Sequence, residues 1–178
     1  TTALDLKALT AASLSATSGG AVTDSGTLAI AGATTISASG QDITLDQGAS
    51  TFGTLSLTGV NVAVTDAGAT DLGASTVSGT LGITSAGAVT DSGTLAITGA
   101  TTISASGQDI TLDQAASTFG TLLLTGANVA VTDAGAVDLG ASTVSGTLGI
   151  TSAGAVTDSG TLAITGATTI SASGQDIT

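Results

Sequence analysis

The string AVTDSGTLAI begins at Ala21, again at Ala88 and again at Ala155, so the chain repeats itself with a period of 67 residues (88 − 21 and 155 − 88). Residues 21–87 and 88–154 differ at five positions, Ala31/Thr98, Gly48/Ala115, Ser56/Leu123, Val60/Ala127 and Thr70/Val137, and 155–178 repeats 88–111 without change. A period of this kind means stacked copies of one unit, each burying its apolar face on its neighbours. The expected organisation is one continuous solenoid. It comprises a diverged fragment (1–20), two full copies (21–87 and 88–154) and a partial third (155–178). Residues 5–20 align loosely with 71–87 through one gap, and the chain reads as a piece of a longer array.

Within the period a Gly-Thr-Leu triplet recurs at Gly26, Gly53, Gly79, Gly93, Gly120, Gly146 and Gly160. The triplets open short alternating segments such as Leu95-Ala96-Ile97 and Leu148-Gly149-Ile150, and Asn128-Val129-Ala130-Val131 alternates in the same way. Alternation with period two marks strands. Between them lie Thr-Gly-Ala, Ser-Gly-Gln-Asp and Asp-Ala-Gly-Ala, corner segments whose glycines are expected to supply positive φ angles. Corners arriving about every seven residues leave no room for the helices of other repeat folds.

The fold class is therefore all-β, a parallel β-solenoid taken to be right-handed, with coils about 4.8 Å apart. Two coil counts divide the period, five flat coils of about 13 or 14 residues or three triangular coils of about 22. Three-sided coils are favoured because they enclose a better-filled core, and they give an axial advance of about 14 Å per period. Identical residues of successive coils are expected to stack in ladders, including the amides Gln41, Gln108, Asn61 and Asn128. Phe52 and Phe119, the two aromatics of the chain, are expected to fill the core once per period.

Composition narrows the function. The chain has 13 acidic residues, all Asp, one base, Lys7, and no His, Cys, Pro, Met, Trp or Tyr, for a net charge of −12. A surface this acidic repels phosphate backbones and anionic lipid, which excludes nucleic acid as a partner. Gly, Ser, Thr and Asp break every apolar run well short of a membrane span, so no membrane insertion by this segment is expected. The opening TTALDLKALT lacks the basic-then-apolar order of a signal peptide, and any targeting signal is expected outside these residues. Without His, Cys, Glu or Tyr the usual acid–base and nucleophilic groups are missing, and the chain is read as no enzyme. The carboxylate pair Asp109 and Asp113 recurs as Asp42 and Asp46, and a pair duplicated along a shaft is structural.

The residues quoted for the fold also carry a family likeness. The runs GTLAITGATTISASGQDITLDQ and GTLLLTGANVAVTDAGAVDLG resemble the β-helical repeats of filamentous-haemagglutinin-like exoproteins and autotransporter adhesins of Gram-negative bacteria. The resemblance implies an exported, extracellular shaft that adheres to surfaces or builds a biofilm matrix. Its partners would be further copies in fibres or bundles and a ligand on a host or other surface.

The functional candidates are the recurrent aspartates Asp24, Asp91 and Asp158; Asp42, Asp109 and Asp176; Asp46 and Asp113; Asp66 and Asp133; and Asp71 and Asp138. One reading makes them turn caps and solubilising charges. The other makes them calcium ligands, since stacked carboxylates and corner carbonyls suit that ion, although the GGxGxD repeat of calcium-binding β-rolls is absent. No cofactor other than calcium is expected. A Thr-rich ice-binding face is a remote alternative, weakened because TxT triplets are missing and no long Thr row is evident. Leu123, where the earlier copy has Ser56, is an assembly candidate. Flanked by inward Leu122 and Leu124 it points outward, and its repetition would make an apolar stripe for fibre packing.

Overall fold

The computed structural model describes residues 2–178 and is all-β, with every strand pairing parallel. Two sheets of eleven strands run the length of the molecule and a third of three strands covers part of one side. The coil from Val22 shows the plan, with Val22–Asp24, Leu28–Ile30 and Thr34–Ser37 lying in three different sheets. The strands form where the sequence alternates, because each second residue enters a shared core. Thr121–Gly126, for instance, buries Leu122, Leu124 and Gly126 and turns Thr121, Leu123 and Thr125 outward. The core is a column of Leu, Ile and Val, widened by Phe52 and Phe119, which are 6% and 5% exposed.

The coil length differs from both sequence-based counts. Register partners climb one sheet through Leu4, Val22, Ile43, Val62, Leu81, Thr101, Leu122, Leu139 and Asp158 in steps of 17 to 21 residues, making nine stacked coils. The mean step is about 19 residues, so the 67-residue period spans three and a half coils, rising about 17 Å. Coils of unequal length add to the period without dividing it evenly.

Like residues do meet in neighbouring coils, as Thr65 meets Thr84 and Ile83 meets Ile103, but a half-integral period keeps the equivalent residues of successive copies from stacking on one another. Equivalent segments of successive copies fall on alternate sheets. Val22–Asp24 and Val156–Asp158 lie in the first long sheet, whereas Val89–Asp91 lies in the second. Thr54–Gly59 lies in the second and its counterpart Thr121–Gly126 in the first. Each of these two long strands pairs with two shorter ones in the next coil. Thr121 and Leu122 meet Asp138 and Leu139, while Thr125 and Gly126 meet Thr143 and Val144 across a bend at Gly140 and Ala141.

The expected positive φ of the corner glycines holds at one type of corner. Positive φ occurs at Gly40, Gly107 and Gly174, all in the Ser-Gly-Gln-Asp corner, and at Ser173. The Gly-Thr-Leu glycines are instead required by close approach to the coil beneath. A Cβ on Gly93 would lie 2.1 Å from the backbone nitrogen of Ala74, and one on Gly120 would lie 2.5 Å from the carbonyl oxygen of Gly99. The triplet is therefore a corner unit, its Gly seated on the previous coil and its Leu entering the core, as Leu28, Leu55, Leu95 and Leu122 do.

Candidate functional site

The aspartates recur at corners and strand ends, and the structure sorts them by where the strand pleat aims each carboxylate. Asp42 and Asp109 start a corner ladder on the outside. Asp109 Oδ1 accepts the N–H of Asn128 at 3.0 Å and its Nδ2 at 2.9 Å, and Asn128 Oδ1 then accepts the N–H of Thr147 at 3.0 Å. Asp42, Asn61 and Thr80 repeat the arrangement in the earlier copy. The column is thus acid, amide and hydroxyl in three successive coils. The expected like-with-like amide ladders do not form, because a half-integral period never places Asn61 beneath Asn128.

Asp71 and Asp138 lie on the outer surface of the strands and gather hydroxyls from the coils on either side. Asp138 accepts from Thr121 at 2.9 Å below and from Ser159 at 2.7 Å and Thr157 at 3.2 Å above. These bonds, that of Ser159 foremost, hold the Asp138 carboxyl below its ordinary value. Asp5, with Ser25 above it and Lys7 beside it, occupies the same setting, which places the diverged first copy in phase with the others.

Asp24, Asp91, Asp66 and Asp133 face inward and are 1% to 7% exposed. Burial pushes all four carboxyls above the usual carboxylate range. Asp133 accepts the N–H of Gly135, which folds the corner back on itself, and the N–H of Phe119. Asp66 also takes the hydroxyl of Thr70, which bridges to Ser85. In the next copy Thr70 becomes Val137, equally buried, and the hydroxyl link is replaced by apolar contact. Asp24 and Asp91 accept the backbone N–H of Asp46 and Asp113 at 2.9 and 2.8 Å. Asp24 Oδ2 is buried without a hydrogen-bond partner.

Asp46 and Asp113 are themselves exposed, and so are Asp158 and Asp176. Asp109 and Asp113 flank the strand Ile110–Leu112 and serve different neighbours, Asn128 and Asp91. Among the described residues no three carboxylates come together in a group able to hold a metal ion. What the arrangement does chemically is close hydrogen bonds between coils where the strand ladder is interrupted.

Leu123 points outward as its strand requires, yet it is half-buried, lying against Gly140 in the coil above. Its neighbours up and down the face are Thr102 and the corner at Gly140 rather than other leucines. Because the equivalent position of each copy moves to the other sheet, a repeated Leu returns to one face only every seven coils, about 34 Å. That spacing cannot give the continuous apolar stripe expected above. The outer face of the first sheet instead carries a hydroxyl row, Thr65, Thr84, Ser104, Thr125 and Thr143, which unequal coil spacings conceal in the sequence. On the second sheet a shallow trough of about 170 Å³ lies over Ala130 and Gly149, edged by Thr132, Thr151, Thr169 and Asp113. It is a gap left by small side chains.

The sequence reading missed the buried serines. Ser50, Ser117, Ser75 and Ser142 each present a hydroxyl to a strand N–H at 3.0 Å, those of Leu28, Leu95, Leu57 and Leu124. Ser85 and Ser152 donate to the carbonyls of Gly68 and Gly135. Their signal was recurrence at the 67-residue period, but a Ser beside Gly or Ala reads as a turn residue.

A family model described as repeats of unknown function (DUF5649) matches residues 1–58, 59–125 and 126–178. The second and third matches start 67 residues apart, the period found in the sequence, with the unit cut at a different phase. No curated protein and no solved structure matches the chain.

Proposed function

The chain belongs to that family of repeats of unknown function, and from this premise we propose that it is a stiff extracellular spacer. In this reading it forms the shaft of a bacterial surface adhesin or a filament of a biofilm matrix. The observation that carries the reading is the continuity of the core through nine coils with no joint between copies. Val77 of one copy stacks under Ile97 of the next just as Val62 stacks under Leu81 within a copy, so adding copies lengthens the rod without making a hinge. The backbone ladder and the corner networks resist bending, and the acidic exterior keeps neighbouring rods hydrated and apart. The likeness to exported Gram-negative adhesin repeats supports the extracellular setting.

Electron cryotomography of the producing cells tests this. Stiff rods projecting from the cell surface, either isolated with a distinct tip or ordered in a surrounding matrix, are the expected result. Immunogold label confined to the cytoplasm would defeat the reading.

A further inference from the structure

The four inward aspartates each accept a backbone N–H, a service that a neutral side chain could give, and their placement is costly. Each puts a carboxyl inside an apolar column, at the last residue of a strand, where ionisation requires a charge to be held away from water. The donors that reach Asp24 and Asp91 fall short of what a carboxylate takes up, whereas Asp66 accepts from Gly68 and Thr70 and Asp133 from Gly135 and Phe119. Asp24 has one backbone N–H on Oδ1 and nothing on Oδ2. Asp91 has the N–H of Asp113 and a long contact of 3.4 Å from Gln114. A carboxyl in such a place is better served by a proton than by a charge. We propose that Asp24 and Asp91 are proton-binding sites that tighten the coil stack in acid, so that this rod gains stability as pH falls.

The groups around them favour the same direction. Above Asp24 stands Asp46, and beneath it the strand of Leu6 carries the Asp5–Lys7 pair on its outer side. Above Asp91 stands Asp113, and beneath it Leu72 is preceded by Asp71. Asp66 and Asp133 have Ser85 and Ser152 above, with Asp46 and Asp113 at the ends of the strands below. Lys7, the single base, is bound to Asp5 and Ser25 on the exterior. Every other charged neighbour is an acid, which opposes ionisation further.

The sign follows from linkage. A carboxyl whose affinity for protons is higher in the folded than the unfolded chain adds stability that is complete below the unfolded value. That stability is lost as pH rises through the folded value. Asp5 and Asp138, held below their ordinary value, act in the opposite sense, but their contribution is present above the unfolded carboxylate value of about 3.9 and is lost only as pH falls from there through the folded value, below the range of the test.

The test is thermal unfolding of the whole chain followed by circular dichroism from pH 7.5 to 4.5, with light scattering to exclude association, on the native protein and on Asp24→Asn/Asp91→Asn. The native Tm is expected to rise by at least about 3 °C toward pH 4.5. The double variant is expected to melt higher than the native protein at pH 7.5 and to show a flatter pH dependence. A Tm that falls toward acid overturns the proposal. So does a pH slope identical in both proteins, which would assign the gain to relief of net charge. Carboxyl carbon NMR titration of the native chain decides independently of the variant's folding. Asp24 and Asp91 midpoints above the ordinary value of about 3.9 support the proposal, and midpoints at or below it overturn it.

Discussion

Asp109 and Asn128 are 19 positions apart in sequence and one coil apart in space, and the carboxylate of the first accepts both the backbone and the side-chain N–H of the second. Asn128 passes the connection upward to Thr147. One amide thus closes three coils at a corner where the strand ladder is interrupted. This is the service that the recurrent polar residues of the chain perform generally, stitching one layer to the next.

Replacing Asn128 by Asp removes the Nδ2 donor and sets a second carboxylate against Asp109. Net contributions of exposed hydrogen bonds are near 1 kcal/mol, and the added repulsion is of similar size. Asn128→Asp is expected to lower Tm by several degrees at neutral pH, with much of the loss recovered in high salt. Asp109→Asn, which keeps an acceptor, is expected to cost less. Thermal melts of the two variants at low and high ionic strength check the order.

The glycines separate into those that touch the coil beneath and those that do not. A methyl at Gly93 meets the Ala74 nitrogen at 2.1 Å, whereas nothing lies within 4 Å of a Cβ on Gly48. Gly93→Ala is expected to destabilise by more than about 3 kcal/mol, because backbone must move. Gly48→Ala is expected to be neutral or stabilising by up to about 1 kcal/mol, and the second copy already carries Ala115 there. Denaturant unfolding of both variants measures the difference.

Ser142 accepts the Leu124 N–H and donates to the Gly140 carbonyl, both inside the molecule. Ser142→Ala leaves the Leu124 N–H buried without a partner, at a cost of about 1–3 kcal/mol. The neighbouring exposed Thr143→Ala is expected to change stability by less than about 0.5 kcal/mol. Equilibrium unfolding distinguishes the two, and amide hydrogen exchange at Leu124 reports the lost bond directly.

The contrast between Leu123 and Ser142 shows what the sequence disclosed. Leu123 could be placed on the outer face because the pleat has period two and Leu122 and Leu124 flank it. Its half-burial over Gly140 depends on the neighbouring coil, and the coil length was not legible. The 67-residue repeat constrains only the sum of several coils, and steps of 17 to 21 residues leave no uniform shorter period to detect. For the same reason Asp42, Asn61 and Thr80 looked like three unrelated corner residues. Strand positions, the parallel stack and the core Phe52 and Phe119 followed from local alternation. The partners across coils, and with them the setting of every aspartate, did not.

The rod is jointless, and each 67-residue copy makes three and a half coils and so alternates between two faces. High-resolution cryo-electron microscopy of the native rods measures it directly. The expected axial rise is about 17 Å per copy, with equivalent residues returning to the same face only after about 34 Å. An advance of about 14 or 24 Å per copy, with every copy presenting the same face, would contradict it.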